Sequence, residues 1–175
     1  MHSRARTLLS ITLILFVALS LANISSAQQT QKVSIQSDAK NTKYGQVNDL
    51  AVGDVPEHVL RVFEIHRTYP DNPPVVNGSK LTEWWARGIA DVVGGNGRAT
   101  EYEVFVMDNG DRFFAQVASV VQNSSGKVAA FTSGQIIGGT GTLAGMQGVL
   151  RGSSNIDIKA GFNENRTEIG YSFAK

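Results

Sequence analysis

The chain of 175 residues has no cysteine, which excludes disulfides, thiol catalysis and cysteine-ligated zinc and leaves stability to packing alone. It has no excess of basic charge either. Lysine and arginine number 16 against 15 acidic side chains, so no positive field exists to hold phosphates, and nucleic acid is not an expected partner. Histidine is scarce. Apart from His2, near the N-terminus, there are His58 and His66. On one extended strand they would stand about 26 Å apart at roughly 3.3 Å per residue, too far to share a metal. No serine sits in a Gly-x-Ser-x-Gly elbow, so serine hydrolysis lacks its motif. No ten-residue stretch keeps a 3.6-residue apolar period, which argues against a helical protein.

What is present begins with a leader. His2, Arg4 and Arg6 precede an apolar stretch from Leu8 to Ala22, followed by Ser25-Ser26-Ala27. That order is a secretory signal peptide over residues 1–27, cut after Ala27, and it predicts a secreted or periplasmic product with no membrane attachment after cleavage. An uncleaved anchor is the alternative, but the apolar stretch is about fifteen residues where a bilayer needs roughly twenty. Losing Arg4 and Arg6 leaves acidic side chains in excess by one. About 150 residues remain, the size of one domain with one core.

Residues 28–56 are polar and weakly patterned, and read as a flexible lead-in with one short strand near Val33–Ile35. From residue 57 to 175, β-rich runs alternate with Gly/Asn/Pro/Asp clusters. Strands are predicted over 57–69, 79–93, 98–108, 111–122, 127–137, 147–159 and 165–174, eight with the first one. Gly94-Gly95-Asn96-Gly97 and Asn109-Gly110 supply the positive φ angles of tight hairpins. The expected fold is therefore all-β: a closed antiparallel eight-stranded up-and-down barrel, since closure removes exposed edges. A two-sheet sandwich is the alternative.

A two-residue turn at Asn109-Gly110 would pair Val106 with Phe113, Val104 with Ala115 and Tyr102 with Val117 on one, apolar face. The other face would pair Phe105 with Phe114 and Glu103 with Gln116, the mixture of a cavity wall. The sequence does not choose which face points inward. An apolar outer face would call for a homo-oligomer, a dimer or trimer.

Candidate chemistry falls on two strands. In Leu60-Arg61-Val62-Phe63-Glu64-Ile65-His66, alternation puts Glu64 and His66 side by side. On a solvent face they are an ordinary exposed pair; inside a barrel, desolvation and mutual charge suit them to acid–base work. Trp85 and Arg87 share a face of the next strand, either to meet an anionic substrate or as simple packing. Gly138-Gly139-Thr140-Gly141-Thr142-Leu143-Ala144-Gly145 lacks the ending of a phosphate loop and reads as a corner between strands.

Four segments together resemble the allene oxide cyclases, calycin-like barrels related to the dirigent proteins, over most of residues 59–174. Val62-Phe63-Glu64-Ile65-His66 looks like the family's Val-Tyr-Glu-Ile-Asn, with Pro73 nine residues after Glu64 as in the family. Met107-Asp108-Asn109-Gly110 closes an aromatic strand, Gly138 to Gly148 resembles the shared glycine motif, and Thr167 to Phe173 resembles the closing strand. The resemblance implies a barrel and a catalytic Glu64, with His66 in the asparagine's place and Asn72 and Pro73 shaping the same end. With Trp85, Arg87, Glu103, Phe105, Phe114 and Gln116 as candidate substrate contacts, the expected function is a cofactor-independent isomerase, cyclase or lyase, using no metal, on a hydrophobic or aromatic small molecule. The alternative is a non-catalytic binding scaffold of dirigent or lipocalin type.

Overall fold

The computed structural model describes residues 30–157 and 160–174. The leader read from residues 1–27 lies outside them. Ten strands occur: β1 (Gln31–Ser37), β2 (Thr42–Ala51), β3 (His58–Thr68), β4 (Val75–Val76), β5 (Ser79–Val93), β6 (Asn96–Met107), β7 (Arg112–Ser124), β8 (Lys127–Gly139), β9 (Met146–Asp157) and β10 (Phe162–Phe173). All are antiparallel to their neighbours, in the order β1-β10-β9-β8-β7-β6-β5-β3-β2, with β4 beside β5.

This corrects the expected barrel in two respects: there are ten strands rather than eight, and no ladder joins β1 to β2, so the sheet is not closed. The extra strands are the two-residue β4 and the β2 edge. The segment expected as a lead-in supplies both β1 and β2. β2 escapes sequence patterning because it is an exposed edge whose alternation is broken by a bulge between Tyr44 and Val47. The sheet nonetheless curls strongly. β1 and β2, at opposite edges, are linked through one 3-10 turn at Ala39–Asn41, and Asn163 Nδ2 on β10 donates to the Tyr44 hydroxyl on β2 across the gap at 2.8 Å.

One end of the curl is plugged. Ile35, Tyr69, Leu81, Trp84, Phe105, Phe113 and Tyr171 belong to a single buried cluster there. The connection between β3 and β5 folds over this end, where Asn77 N–H donates to the Tyr171 hydroxyl and the Tyr69 and Ser37 hydroxyls bond to each other. The glycine-rich segment is the corner expected of it, a 3-10 turn at Gly141–Leu143 that buries Leu143 in the plug.

The hairpin between β6 and β7 corrects the predicted register by one residue. Met107 N–H donates to the Asp111 carbonyl, Gly110 N–H donates to the Met107 carbonyl, and Gly110 takes φ +85°. Asp108, Asn109 and Gly110 thus form a three-residue loop with a glycine bulge, not a two-residue turn. Phe105 therefore faces Phe113, and Glu103 faces Ala115. Phe113 and Val117 go inside while Tyr102, Val104 and Val106 stay outside, so the continuous apolar face expected as a subunit contact is split between the two sides.

At the opposite end, the loop from β2 to β3 is held by His58. Its Nδ1 contacts Asp54 at 2.6 Å and its Nε2 contacts Asp91 on β5 at 2.7 Å. Carboxylates on both nitrogens require a doubly protonated ring, and the bonds to Asp91 and Asp54 raise the His58 pKa above 6.5. A raised value means that the latch is fully formed below pH 6.5 and is lost as pH climbs through the folded-state pKa. Protection of the loop amides against hydrogen exchange should fall over that range, after correction for intrinsic rates. In His58→Ala it should be low at every pH; unchanged protection there would remove the latch.

Candidate functional site

Within the curl, above the plug, lies a cavity of about 330 Å³. Its walls toward the hairpin end are apolar, with Val92, Ala99, Val121, Val128 and Ile156. Its deeper part is polar. Residues at alternate positions of each strand reach it: Phe63, Ile65 and Arg67 from β3, Glu101 and Glu103 from β6, and Asn163, Asn165 and Thr167 from β10. A bulge between Leu81 and Glu83 resets the alternation of β5 so that Leu81 and Trp84 both point inward.

The Arg67 guanidinium lies over the Trp84 ring, 4.4 Å from its centroid. Trp84 stacks on Phe105 at 5.0 Å, and Phe105 on Phe113 at 4.2 Å, which ties the cavity floor to the plug. Arg67 is only 3% exposed and its Nε has no hydrogen-bond partner; among the described residues no carboxylate lies within ion-pairing distance. Three further buried polar atoms lack partners among the described residues, namely Trp84 Nε1, Glu103 Oε2 and Asn163 Oδ1. All four belong to residues that line this cavity. Each such atom costs about 1–3 kcal/mol when left unmet, so their convergence is not incidental packing.

The two carboxyl groups differ. Glu103 is 2% exposed; burial, then the neighbouring Glu101 charge, push its pKa well above 4.5, against the pull of Arg67. Glu101 is also raised by burial, but Ser119 Oγ donates to its Oε1 at 2.8 Å and Arg67 favours its charge. Ser119 in turn bonds to Thr132, and on the facing wall Thr167 bonds to Asn165, which donates to Ser154. These bonds fix the side chains around the pair. Burial thus opposes ionisation of both carboxyls, and more strongly at Glu103, which lacks the Ser119 bond, than at Glu101.

Of the residues singled out in the sequence, Glu103 lines the cavity, and Phe105 is buried beneath it. Glu64 and His66 do not face the interior; the even-numbered positions of β3 point outward, because Phe63, Ile65 and Arg67 take the inside. Outside, Glu64 Oε2 accepts from Arg87 Nε at 2.6 Å. His66 stacks on Trp85 at 3.7 Å, and Glu83 accepts from both rings. Glu64, His66, Trp85 and Arg87 therefore gather on the outer surface, as a network of ion pairs and stacked rings. Phe114 and Gln116 are also outward, with Phe114 stacked on Tyr102 at 6.2 Å. Asn72 and Pro73 sit in the connection at the plugged end and do not line the cavity. Arg67, Trp84, Glu101 and Asn163 were missed. The available signal was Phe63-x-Ile65-x-Arg67, an apolar alternation ending in a charge, and Glu101-x-Glu103-x-Phe105, two carboxylates in register with an aromatic.

No protein-family model matches the chain, and no curated protein matches it. Among solved structures, pyocyanin demethylase is similar over 80% of this chain and 100% of that chain, at 17% identity and a TM-score of 0.41. At that similarity, nothing about activity is carried over.

A buried carboxyl with a raised pKa has a measurable effect on stability. The unfolded chain ionises Glu103 above about pH 4.5 while the folded chain keeps it protonated, so the native state binds more protons and stability falls as pH rises from there toward the folded-state pKa. Glu103→Gln should flatten this decline in denaturant titrations run at several pH values. An unaltered slope would mean that Glu103 ionises normally.

Proposed function

We propose that this protein is a cofactor-independent enzyme of the isomerase or lyase type, which holds a small, largely apolar molecule in the curl of the sheet and moves a proton on it. Glu101 acts as general base and Glu103 as general acid. The role that the allene oxide cyclase resemblance gives to Glu64 thus passes to an inward-facing pair. The observation that carries this reading is the pair itself: two carboxyls two residues apart on one strand, facing one cavity in unequal surroundings.

The chemistry follows from those surroundings. The Ser119 bond and the nearby Arg67 charge favour ionised Glu101, which can accept a proton from a carbon next to a carbonyl. Glu103, protonated and with Oε2 unpartnered, can donate to the oxygen on which negative charge develops. The apolar walls near the hairpin end keep water from competing. Neither step needs an electron acceptor or a metal.

The test is proton exchange in D₂O with a panel of aryl ketones and other apolar carbonyl compounds, read by mass spectrometry. The full chain should speed deuterium entry beside the carbonyl of at least one member. Glu101→Gln and Glu103→Gln should each lower that rate by about 10²–10⁴-fold, the usual contribution of a general acid or base, while His66→Ala should leave it unchanged. If the two glutamine variants exchange as fast as the parent while still binding the compound, the binding-scaffold reading takes its place.

A further inference from the structure

The charge balance of the cavity is incomplete. Arginine keeps its proton in proteins, so Arg67 is a buried cation on the floor of the cavity. The titratable groups packed round it are Tyr44 from β2, Arg61 from its own strand, Tyr69 from the connection at the plugged end, and Glu101 and Glu103 from β6. Arg61 is committed to Asp49, to which its Nε and a terminal nitrogen both donate. Both tyrosines are held neutral: burial pushes Tyr69 up to about 12 and raises Tyr44 as well. Burial raises the Glu103 pKa as well, which disfavours its charge. Glu101 supplies some field, but its carboxylate is engaged by Ser119 and stands outside ion-pairing distance of Arg67.

Buried arginine is ordinarily paired in both charge and hydrogen bonds, because leaving either unmet is costly. Here the side chain makes a cation–π contact with Trp84 and no hydrogen bond among the described residues. The Trp84 indole N–H beside it is a second buried donor without an acceptor. Two idle donors, one of them cationic, belong to residues at the polar end of a cavity whose walls toward the hairpin end are apolar.

We infer that the floor of the cavity is an anion subsite: the ligand is an apolar or aromatic monoanion whose charged oxygen docks against Arg67 and the Trp84 indole N–H. This rests on the acid–base reading for what happens next, since the anionic oxygen is either a resident carboxylate that anchors the substrate or the enolate-type oxygen that forms during proton transfer. It does not rest on that reading for binding itself. Asn163 Oδ1, the fourth idle atom, is an acceptor and would meet a hydroxyl or amine elsewhere on the ligand.

Equilibrium binding to the full chain, without turnover, tests the inference. Naphthoate is compared with neutral naphthamide, and p-nitrophenol, whose colour reports its ionisation, with p-nitroanisole. The carboxylate should bind about ten- to a hundred-fold tighter than its amide, the usual worth of a hydrogen bond to a charged group. Uptake of p-nitrophenol as the yellow phenolate below its solution pKa would mark the enolate-type source; carboxylate preference without it would mark the anchored carboxylate. Equal affinity within both pairs in the parent protein overturns the subsite, whatever any variant does. Arg67→Met should abolish the preference while raising the melting temperature of the ligand-free protein, because it removes a buried unpaired charge. Should that variant fail to fold, Arg67→Lys, which keeps the charge but not the fork, should retain the preference of anion over neutral partner. Loss of deuterium exchange in Glu103→Gln alongside equal affinities would sink the anion subsite and spare the acid–base pair. Clear anion preference with no exchange would do the reverse.

Discussion

A buried guanidinium with no ion-pair contact among the described residues is the constraint on which the interior depends. Arg67 sits at the inner end of β3, over Trp84, and Trp84 leads through Phe105 to Phe113 in the plug. The column holds the charge in place from below, and among the described residues no side chain hydrogen-bonds it from above. Its field helps to keep Glu101 able to ionise at a depth where burial would otherwise hold it neutral, and Glu101 in turn helps to keep Glu103 protonated. Three charged or chargeable groups on two strands thus set one another's state, and each is placed by the two-residue alternation of its strand.

The architecture was largely legible because hairpin chemistry is local. Strand β5 spans the 79–93 predicted from sequence, and the glycine and asparagine clusters fall at the turns. What was not legible depended on counting. A hairpin loop of two residues and one of three differ by one residue, yet that shift moves every side chain of one strand to the other face relative to its partner. Asn109-Gly110 suits both. The same holds for β5, where a bulge sends Trp84 inward and leaves Trp85 outside. On β3 both faces are apolar near the hairpin end, with Leu60 and Val62 outside and Phe63 and Ile65 inside. Parity there is settled only by the neighbours.

That ambiguity explains why the sequence drew attention to Glu64 and His66. A glutamate and a histidine on alternate positions are conspicuous, but their surroundings are ion pairs and an indole on an outer surface. Arg67 and Glu101 are inconspicuous as letters. Their chemistry comes from enclosure by neighbouring strands, Trp84 against Arg67 and Ser119 against Glu101, which a single sequence does not display. The resemblance put the chemistry on Glu64 and His66, whereas the side chains of β3 that reach the cavity are Phe63, Ile65 and Arg67.

The unlaced edge has a mechanical consequence. In a closed barrel, girth is fixed by the number of strands and their stagger, so a change in diameter breaks a ladder. Here β1 and β2 share none, and at the level of Tyr44 the two sides are pinned by its single bond with Asn163. The enclosure is a cuff with one clasp rather than a ring. At that level a wider girth costs that bond and breaks no ladder, while the Ser37–Tyr69 bond and the plug hold the other end; because Tyr44 and Asn163 both line the cavity, whatever fills the interior also bears on the clasp.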